Sequence, residues 1–231
     1  MSESDLRGLD NPFWTCLATR HAHIAQGGAL ARRYPPQISV LGGTSGIAPE
    51  NVAALTSLVG IGDDVALVGA RVPDLPRTWE TLYASELTQM LRTERAELAE
   101  GGAKIVTLGP ADVPAMQALV ELTHPGPFRA RTIELGTYIG IREDRRLVAM
   151  AGERTWIGDF REVSAVCTHP DAQGRGYAPM LISRIVNRML RAGQTPFLHA
   201  ESGNEVAIEI YRRLGFAERT RLALLYAKKI G

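Results

Sequence analysis

Apolar and polar positions fall into two regimes along the chain, divided near Gly101-Gly102. Beyond that point the pattern is sharp. Lys104 to Leu108 predicts a strand, and Pro110-Ala111-Asp112 opens a helix that runs to about Leu122. Leu135 to Arg142 and Arg146 to Arg154 alternate and are joined by Glu143-Asp144-Arg145, which predicts a β-hairpin. Phe160 to Thr168 predicts a further strand. From Tyr177 to Ala192 the apolar residues Leu181, Ile182, Ile185, Val186 and Met189 follow the 3.6-residue period, with Arg184, Arg188 and Arg191 on the other face, so an amphipathic helix is expected. Gly193 is its expected stop. Thr195 to Glu201 predicts a strand, Asn204 to Leu214 a helix stopped by Gly215, and Arg219 to Lys228 a closing strand.

The first hundred residues are looser. Gln37 to Leu41 predicts a short strand ended by Gly42-Gly43-Thr44-Ser45-Gly46, Asn51 to Val59 a short helix, and Asp64 to Val72 a strand. Leu82 to Glu100 is mixed, with strong helix formers from Leu91 onward. Two regions are therefore expected, 1–102 and 103–231. The fold class is α/β: a mixed, mostly antiparallel sheet flanked by helices, with an extra N-terminal α/β region.

Composition narrows the class. At 231 residues the chain is long enough to bury a core without staples. Cys16 and Cys167 are its two cysteines, too few for a disulfide scaffold or a four-cysteine zinc site. The five histidines show no ligand spacing stronger than His21-x-His23, so no metal is expected. No apolar run is long enough to span a bilayer, and the polar start is no secretory signal, which points to the cytoplasm and away from membranes. The net charge of +1 argues against nucleic-acid binding. Its distribution is uneven, −4 over residues 1–100 and +5 over 101–231. A positive second half suits a small polyanion, and an acidic first half suits a cationic partner.

Chemistry concentrates where the strand ending at Thr168 meets the helix starting at Tyr177, through Gln173-Gly174-Arg175-Gly176-Tyr177-Ala178. The first amides of a helix have no internal acceptor and the helix dipole adds positive potential, so such a junction binds anions. Small residues at 174, 176 and 178 let a pyrophosphate approach the backbone. Alone, the string is loose enough to arise by chance as a glycine-rich turn. It gains weight from its setting and from Asn204-Glu205-Val206-Ala207-Ile208-Glu209-Ile210-Tyr211-Arg212-Arg213-Leu214-Gly215-Phe216 about thirty residues later.

With both segments in this order, residues 103 to 228 resemble the GNAT superfamily of acyl-CoA N-acyltransferases, beside a divergent N-terminal half that is compatible with a degenerate half-copy of the same fold. Gln173 to Ala178 matches the Arg/Gln-x-x-Gly-x-Gly/Ala signature. Asn204, Ala207-Ile208, Tyr211 and Leu214-Gly215-Phe216 match the second. The resemblance implies an acetyl-CoA-dependent N-acetyltransferase acting by direct attack of a primary amine, on a small molecule or a peptide, with a homodimer as one permitted assembly. It implies that Gln173, Gly174, Arg175, Gly176, Tyr177 and Ala178 hold the pyrophosphate and that Val166, Cys167 and Thr168 pair with the pantetheine arm, an amide near Cys167 polarising the thioester carbonyl. Asn204 would contact the arm, Tyr211 would protonate the leaving thiolate, and Glu162 would be the base.

Each assignment has a plainer competitor. Tyr211 fits a core aromatic, Glu162 fits a surface ion pair, and Glu153 on the hairpin competes as base. Cys167 has no cationic neighbour in sequence and reads as a small hydrophobe. His169 and His199 read as hydrogen-bonded structural groups, His199 also as a polar lining of the cleft. Gly42 to Gly46 lacks the lysine of a P-loop and reads as a turn. A non-catalytic acyl-CoA sensor or interaction module on the same fold is the alternative function.

Overall fold

The computed structural model describes residues 3–231, with side chains from Leu6 onward. In chain order the elements are α1 (Glu3–Gly8), α2 (Pro12–Ala18), β1 (Gln26–Gly27), β2 (Ala31–Arg33), β3 (Leu41–Thr44), α3 (Pro49–Leu58), β4 (Asp64–Gly69), β5 (Trp79–Leu91), β6 (Ile105–Leu108), α4 (Val113–Thr123), β7 (Tyr138–Glu143), β8 (Arg146–Ile157), β9 (Phe160–Thr168), α5 (Tyr177–Arg191), β10 (Thr195–Glu201), α6 (Glu205–Arg213) and β11 (Ala217–Lys229). All strands join one sheet in the order β1-β2-β3-β4-β11-β5-β10-β9-β8-β7-β6.

Two features of this order position the site. β9 and β10 are parallel neighbours for three pairs only, Thr195 with Phe160, Pro196 with Arg161 and Phe197 with Glu162. Beyond them the strands part, each keeping its other neighbour: β9 pairs with β8 out to Thr168, and β10 with β5 out to Glu201. Ala165 adopts a left-handed φ of 52° within a register shift of β9 against β8, a bulge that bends β9 at the parting. The second feature is β5. It comes from the N-terminal half, yet it lies between β10 and β11, antiparallel to both. The loop at Gly101-Gly102 is thus a break in chain order that sheet hydrogen bonding crosses.

Side-chain alternation sorts the two faces. Ala149, Ala151 and Val163 pack with Leu181, Ile182, Ile185, Val186 and Met189 of α5. On the other face Met150 and Cys167 pack with Met116, Leu119 and Val120 of α4. Also on that face, Phe13 of α2 lies 5.1 Å beneath the Arg154 guanidinium and 6.1 Å from the His199 ring. The expected periodicity of α5 is thus realised, and Gly193 beyond it has a φ of 75°.

Two readings in the first half are corrected. Leu91 to Glu100 forms no helix. Arg92, 2% exposed, donates to the carbonyls of Glu94, Ala96 and Leu214, and Leu98 exchanges backbone bonds with the Asn187 side chain of α5. These tertiary bonds outweigh helix propensity, which is worth only tenths of a kcal/mol per residue. The third strand begins at Leu41 and takes in Gly42-Gly43, which were expected to be turn. Glycine is needed there because a Cβ on Gly43 would lie 2.6 Å from the backbone nitrogen of Trp14. α1 and α2 had no counterpart in the sequence reading.

Gly43→Ala is therefore expected to push α2 off β3 and to destabilise the protein by roughly 1–3 kcal/mol, measurable as a lower urea midpoint with an unchanged slope.

Candidate active site

The loop between β9 and α5 presents its main chain outward. The Gln173 amide donates to Pro170 at 3.2 Å, and helical bonding resumes with Met180 donating to Gly176. Between them the amides of Gly174, Arg175, Gly176, Tyr177 and Ala178 have no protein acceptor among the described residues. Gly174 and Gly176 hold φ at 76° and 74°, and a Cβ on Gly174 would meet nothing within 4 Å. The glycines are thus needed for backbone conformation, and the loop stays open. Gln173 leaves the expected amide set, since its N–H is already used. The Arg175 side chain leaves it too: its guanidinium donates to Glu143 at 2.7 Å and to the Asp171 carbonyl at 2.9 Å, while the Tyr177 hydroxyl donates to the same Glu143 oxygen.

Val166, Cys167 and Thr168 form the end of β9 at the parted edge. Cys167 is buried among Met116, Tyr138 and Met150, and burial pushes its thiol up to about 11, which fits a packing role and no nucleophile. The Thr168 hydroxyl is buried without a partner. Across the cleft, Asn204 caps α6, its Oδ1 accepting from the Ala207 amide at 3.1 Å. Its role is therefore structural in part, and only the side-chain N–H₂ stays available to a ligand. Tyr211 packs edge-on against Phe216 at 6.1 Å, and burial raises its hydroxyl to about 12, so it remains a proton donor at neutral pH.

Glu162 departs from the expected role. It is fully buried and sits in the last pair before β9 and β10 separate. Arg154 donates to both its oxygens, Nε to Oε2 at 3.0 Å and Nη2 to Oε1 at 2.6 Å, and His199 Nδ1 lies 2.7 Å from Oε1. Burial alone would raise its pKa, but Arg154 and His199 outweigh it and hold the carboxyl well below the usual carboxylate range. A carboxylate so enclosed and so held is a poor base. Glu153, the competitor, is likewise engaged, by Arg161 at 3.0 Å.

The network extends further. Gln89 of β5 donates to the Leu9 carbonyl and lies 2.9 Å from His199 Nε2, while its own oxygen accepts from Arg219. With those two partners fixing the amide, Gln89 donates to Nε2, and His199 carries its proton on Nδ1, facing Glu162. Arg219 continues to Asp10. The opposite charges of Arg154 and Glu162, symmetric about the turn at Gly158, were a readable signal of a cross-strand pair. Gln89 and Arg219 had none, because their contact depends on where β5 is inserted. Among the described residues no group of three or more His, Cys, Asp or Glu is placed to hold a metal, and no helix is long and apolar enough to cross a membrane.

A strand that parts from its parallel neighbour, followed by a loop of free amides opening a helix, is the arrangement by which the chain can be classed. A family model described as FR47-like protein matches residues 138–224. A crystal structure of a candidate GNAT-family acetyltransferase from Novosphingobium aromaticivorans is 34% identical, with a TM-score of 0.88 over 96% of this chain and 98% of that one. The chain belongs to the GNAT family. A GCN5-related N-acetyltransferase from Kribbella flavida (15% identity, TM-score 0.61, 94% of this chain and 93% of that one) shares the fold. So does a GNAT-family acetyltransferase from Colwellia psychrerythraea (14%, 0.54, 99% and 98%). No curated protein sequence matches the chain.

Replacing Arg154 by Met leaves a buried carboxylate without its main counter-charge, an expected cost of roughly 3–5 kcal/mol at pH 8. The sign with pH follows. In the parent, the depressed Glu162 pKa gives stability that is full above the unfolded value near 4.3 and is lost as pH falls below it. In the variant that pKa rises above the unfolded value, so acid favours the native state, and the deficit should be smaller at pH 5 than at pH 8 in urea titrations.

Proposed function

We propose that the protein is an N-acetyltransferase that passes an acetyl group from acetyl-CoA to a primary amine, by direct attack with both substrates bound. The observation that carries this reading is the row of five acceptor-free amides from Gly174 to Ala178 at the mouth of the parted strands. These amides are the groups that would hold the diphosphate. The bare edge of β9 at Val166–Thr168 offers main-chain partners to an extended amide-bearing arm, and the Asn204 side-chain N–H₂ a further donor. Acetyl-CoA supplies the activated thioester.

Tyr211 is the group that serves the leaving sulfur. A phenol near 12 does not readily protonate a thiolate whose ordinary pKa is about 8.5. What it offers is a hydrogen bond from a neutral donor, strengthened where water is excluded. Glu162 acts at one remove, fixing Arg154 and His199 at the vertex of the cleft.

Each chain takes one donor molecule in this reading. β3, α3 and β4 repeat the parallel strand–helix–strand arrangement, with two pairs, Leu41 with Ala66 and Gly42 with Leu67, which supports a degenerate half-copy in residues 1–102. Its loop is occupied by protein side chains, however: Asn51 Nδ2 donates to Ser45 Oγ and to the Leu30 carbonyl, the Asn51 Oδ1 would lie 3.2 Å from a Cβ on Gly46, and Trp14 of α2 lies against Gly43.

Calorimetric titration with acetyl-CoA should give one site per chain; no binding would remove the transferase reading. Tyr211→Phe should keep that affinity within about threefold and lower kcat for thiol release by roughly 10- to 100-fold. Unchanged turnover would end the role given to Tyr211, and full affinity with no turnover by the parent on any amine would favour a sensor.

A further inference from the structure

β5 pairs with β11 along its whole length, from Trp79 to Leu91, but with β10 only from Leu87 to Leu91. The Ser202 amide, donating to the Glu86 carbonyl, is the last bond on that side. From Trp79 to Ser85 the strand therefore has one bare edge in the middle of the sheet order. Leu82 and Tyr83, 45% and 48% exposed, stand on it. Natural edges are guarded by lysine or proline, and this stretch carries neither.

At one end of the edge lies Glu201. It is only half-buried, and its carboxylate accepts from Ser85 Oγ at 2.8 Å and Tyr83 OH at 3.4 Å, with no cationic partner among the described residues. Three other carboxylates around the cleft are held by arginines: Glu162 by Arg154, Glu153 by Arg161 and Glu143 by Arg175. Glu201 shares a sheet face with His199, and the register of β10 on β5 sets it opposite Leu87. That is the face opposite α5 and the loop of free amides.

We infer that the acceptor is the N-terminus of an extended peptide, added to the bare edge of β5 as a strand antiparallel to it, with its α-ammonium against Glu201. This rests on the acetyl-transfer reading. A chain antiparallel to β5 on that side continues the line of β10, so its first residue falls beside the end of β10, at Glu201 and the mouth of the cleft. Main-chain bonds give such a peptide affinity without demanding a sequence, and Leu82 and Tyr83 supply side-chain contact. Charge selects this occupant over a second copy of the chain. Glu201 has no cationic partner among the described residues; the stretch from Trp79 to Ser85 of a second copy carries no lysine or arginine to supply one, whereas a peptide amino end does. In the transfer the nitrogen–carbon bond forms as the carbon–sulfur bond breaks. Two protons leave the nitrogen: the α-ammonium gives up the first through Glu201 to solvent to become the attacking amine, the second follows the same way as the amide forms, and the sulfur leaves as thiolate against the Tyr211 hydroxyl. An α-amine, with a pKa near 7.7–8.0, is partly unprotonated at neutral pH, unlike a lysine amine near 10.4.

The test measures thiol release from acetyl-CoA with a randomised hexapeptide pool bearing free N-termini. Controls are the same pool blocked by N-terminal acetylation, the free amino acids, and spermidine. The free pool should turn over at least about tenfold faster than every control. Glu201→Gln should raise KM for the pool by roughly tenfold, the loss of one charged hydrogen bond, and leave acetyl-CoA affinity unchanged. Glu86 bonds towards β10, and alternation turns the Ala84 N–H the same way, onto the bare edge. Ala84→Pro therefore deletes an edge donor without touching a β11 bond, and should raise the same KM with the melting temperature held. Should Ala84→Pro fail to fold, Glu201→Gln carries the test alone. Equal or faster turnover of amino acids or spermidine overturns the peptide and leaves the transferase standing. An unchanged KM in a folded Ala84→Pro also overturns it, as does an Ala84→Pro that turns a dimer into a monomer with peptide turnover intact. Absence of acetyl-CoA binding removes both.

Discussion

A carboxylate cut off from water must be surrounded by donors, and meeting that requirement at Glu162 ties the centre of this protein together. Arg154 comes from β8, His199 from β10, and Gln89 from β5, with Arg219 and the carbonyls of Leu6 and Leu9 behind them. Each group leaves the next with a settled donor or acceptor, so the network has one arrangement. It sits at the last pair shared by β9 and β10. Below it the strands are joined, and beyond it they separate. An isolated buried ion pair adds little stability over a well-packed apolar pair. What this one provides is a fixed vertex, from which the two arms of the cleft diverge in a defined way.

The cleft needs that fixity because its recognition groups are backbone. Amides of a loop and the edge of a strand cannot change rotamer to suit a ligand, so their usefulness depends on where the sheet holds them. The left-handed residues at Ala165, Gly174 and Gly176 show where the chain bends to bring them there. Side chains near the loop are largely engaged elsewhere, Arg175 and Tyr177 with Glu143 and Asn204 with its own helix. Among the described residues the Tyr211 hydroxyl, like that of Thr168 and the side-chain N–H₂ of Asn204, keeps a hydrogen with no protein partner.

Much of this was legible from residue order. The strands from Phe160 to Thr168 and Thr195 to Glu201 match the sequence reading residue for residue, because both are short, strongly apolar and bounded by turn residues. α5 was visible in its period, and the anion-binding loop in its glycines. What is not legible shares a cause. Spacing fixes the position of Glu162 along its strand and says nothing of Arg154 and His199 around it. Leu91 to Glu100 is rich in helix formers, while the partners that keep it extended, Asn187 and Leu214, lie about a hundred residues away. The insertion of β5 left no mark at all. A strand between two antiparallel neighbours reads alike whichever part of the chain the neighbours come from.

That insertion also bears on how the chain is made. β5 leaves the ribosome well before β10 and β11, the strands that flank it, and until they arrive it has no neighbour on either edge. The middle of the sheet is closed by contacts between residues about 105 to 150 positions apart, for which the loop-closure cost falls late. Pairing of the central strands must then wait until β10 and β11 have been made, and a chain that stops short of them leaves both edges of β5 unpaired.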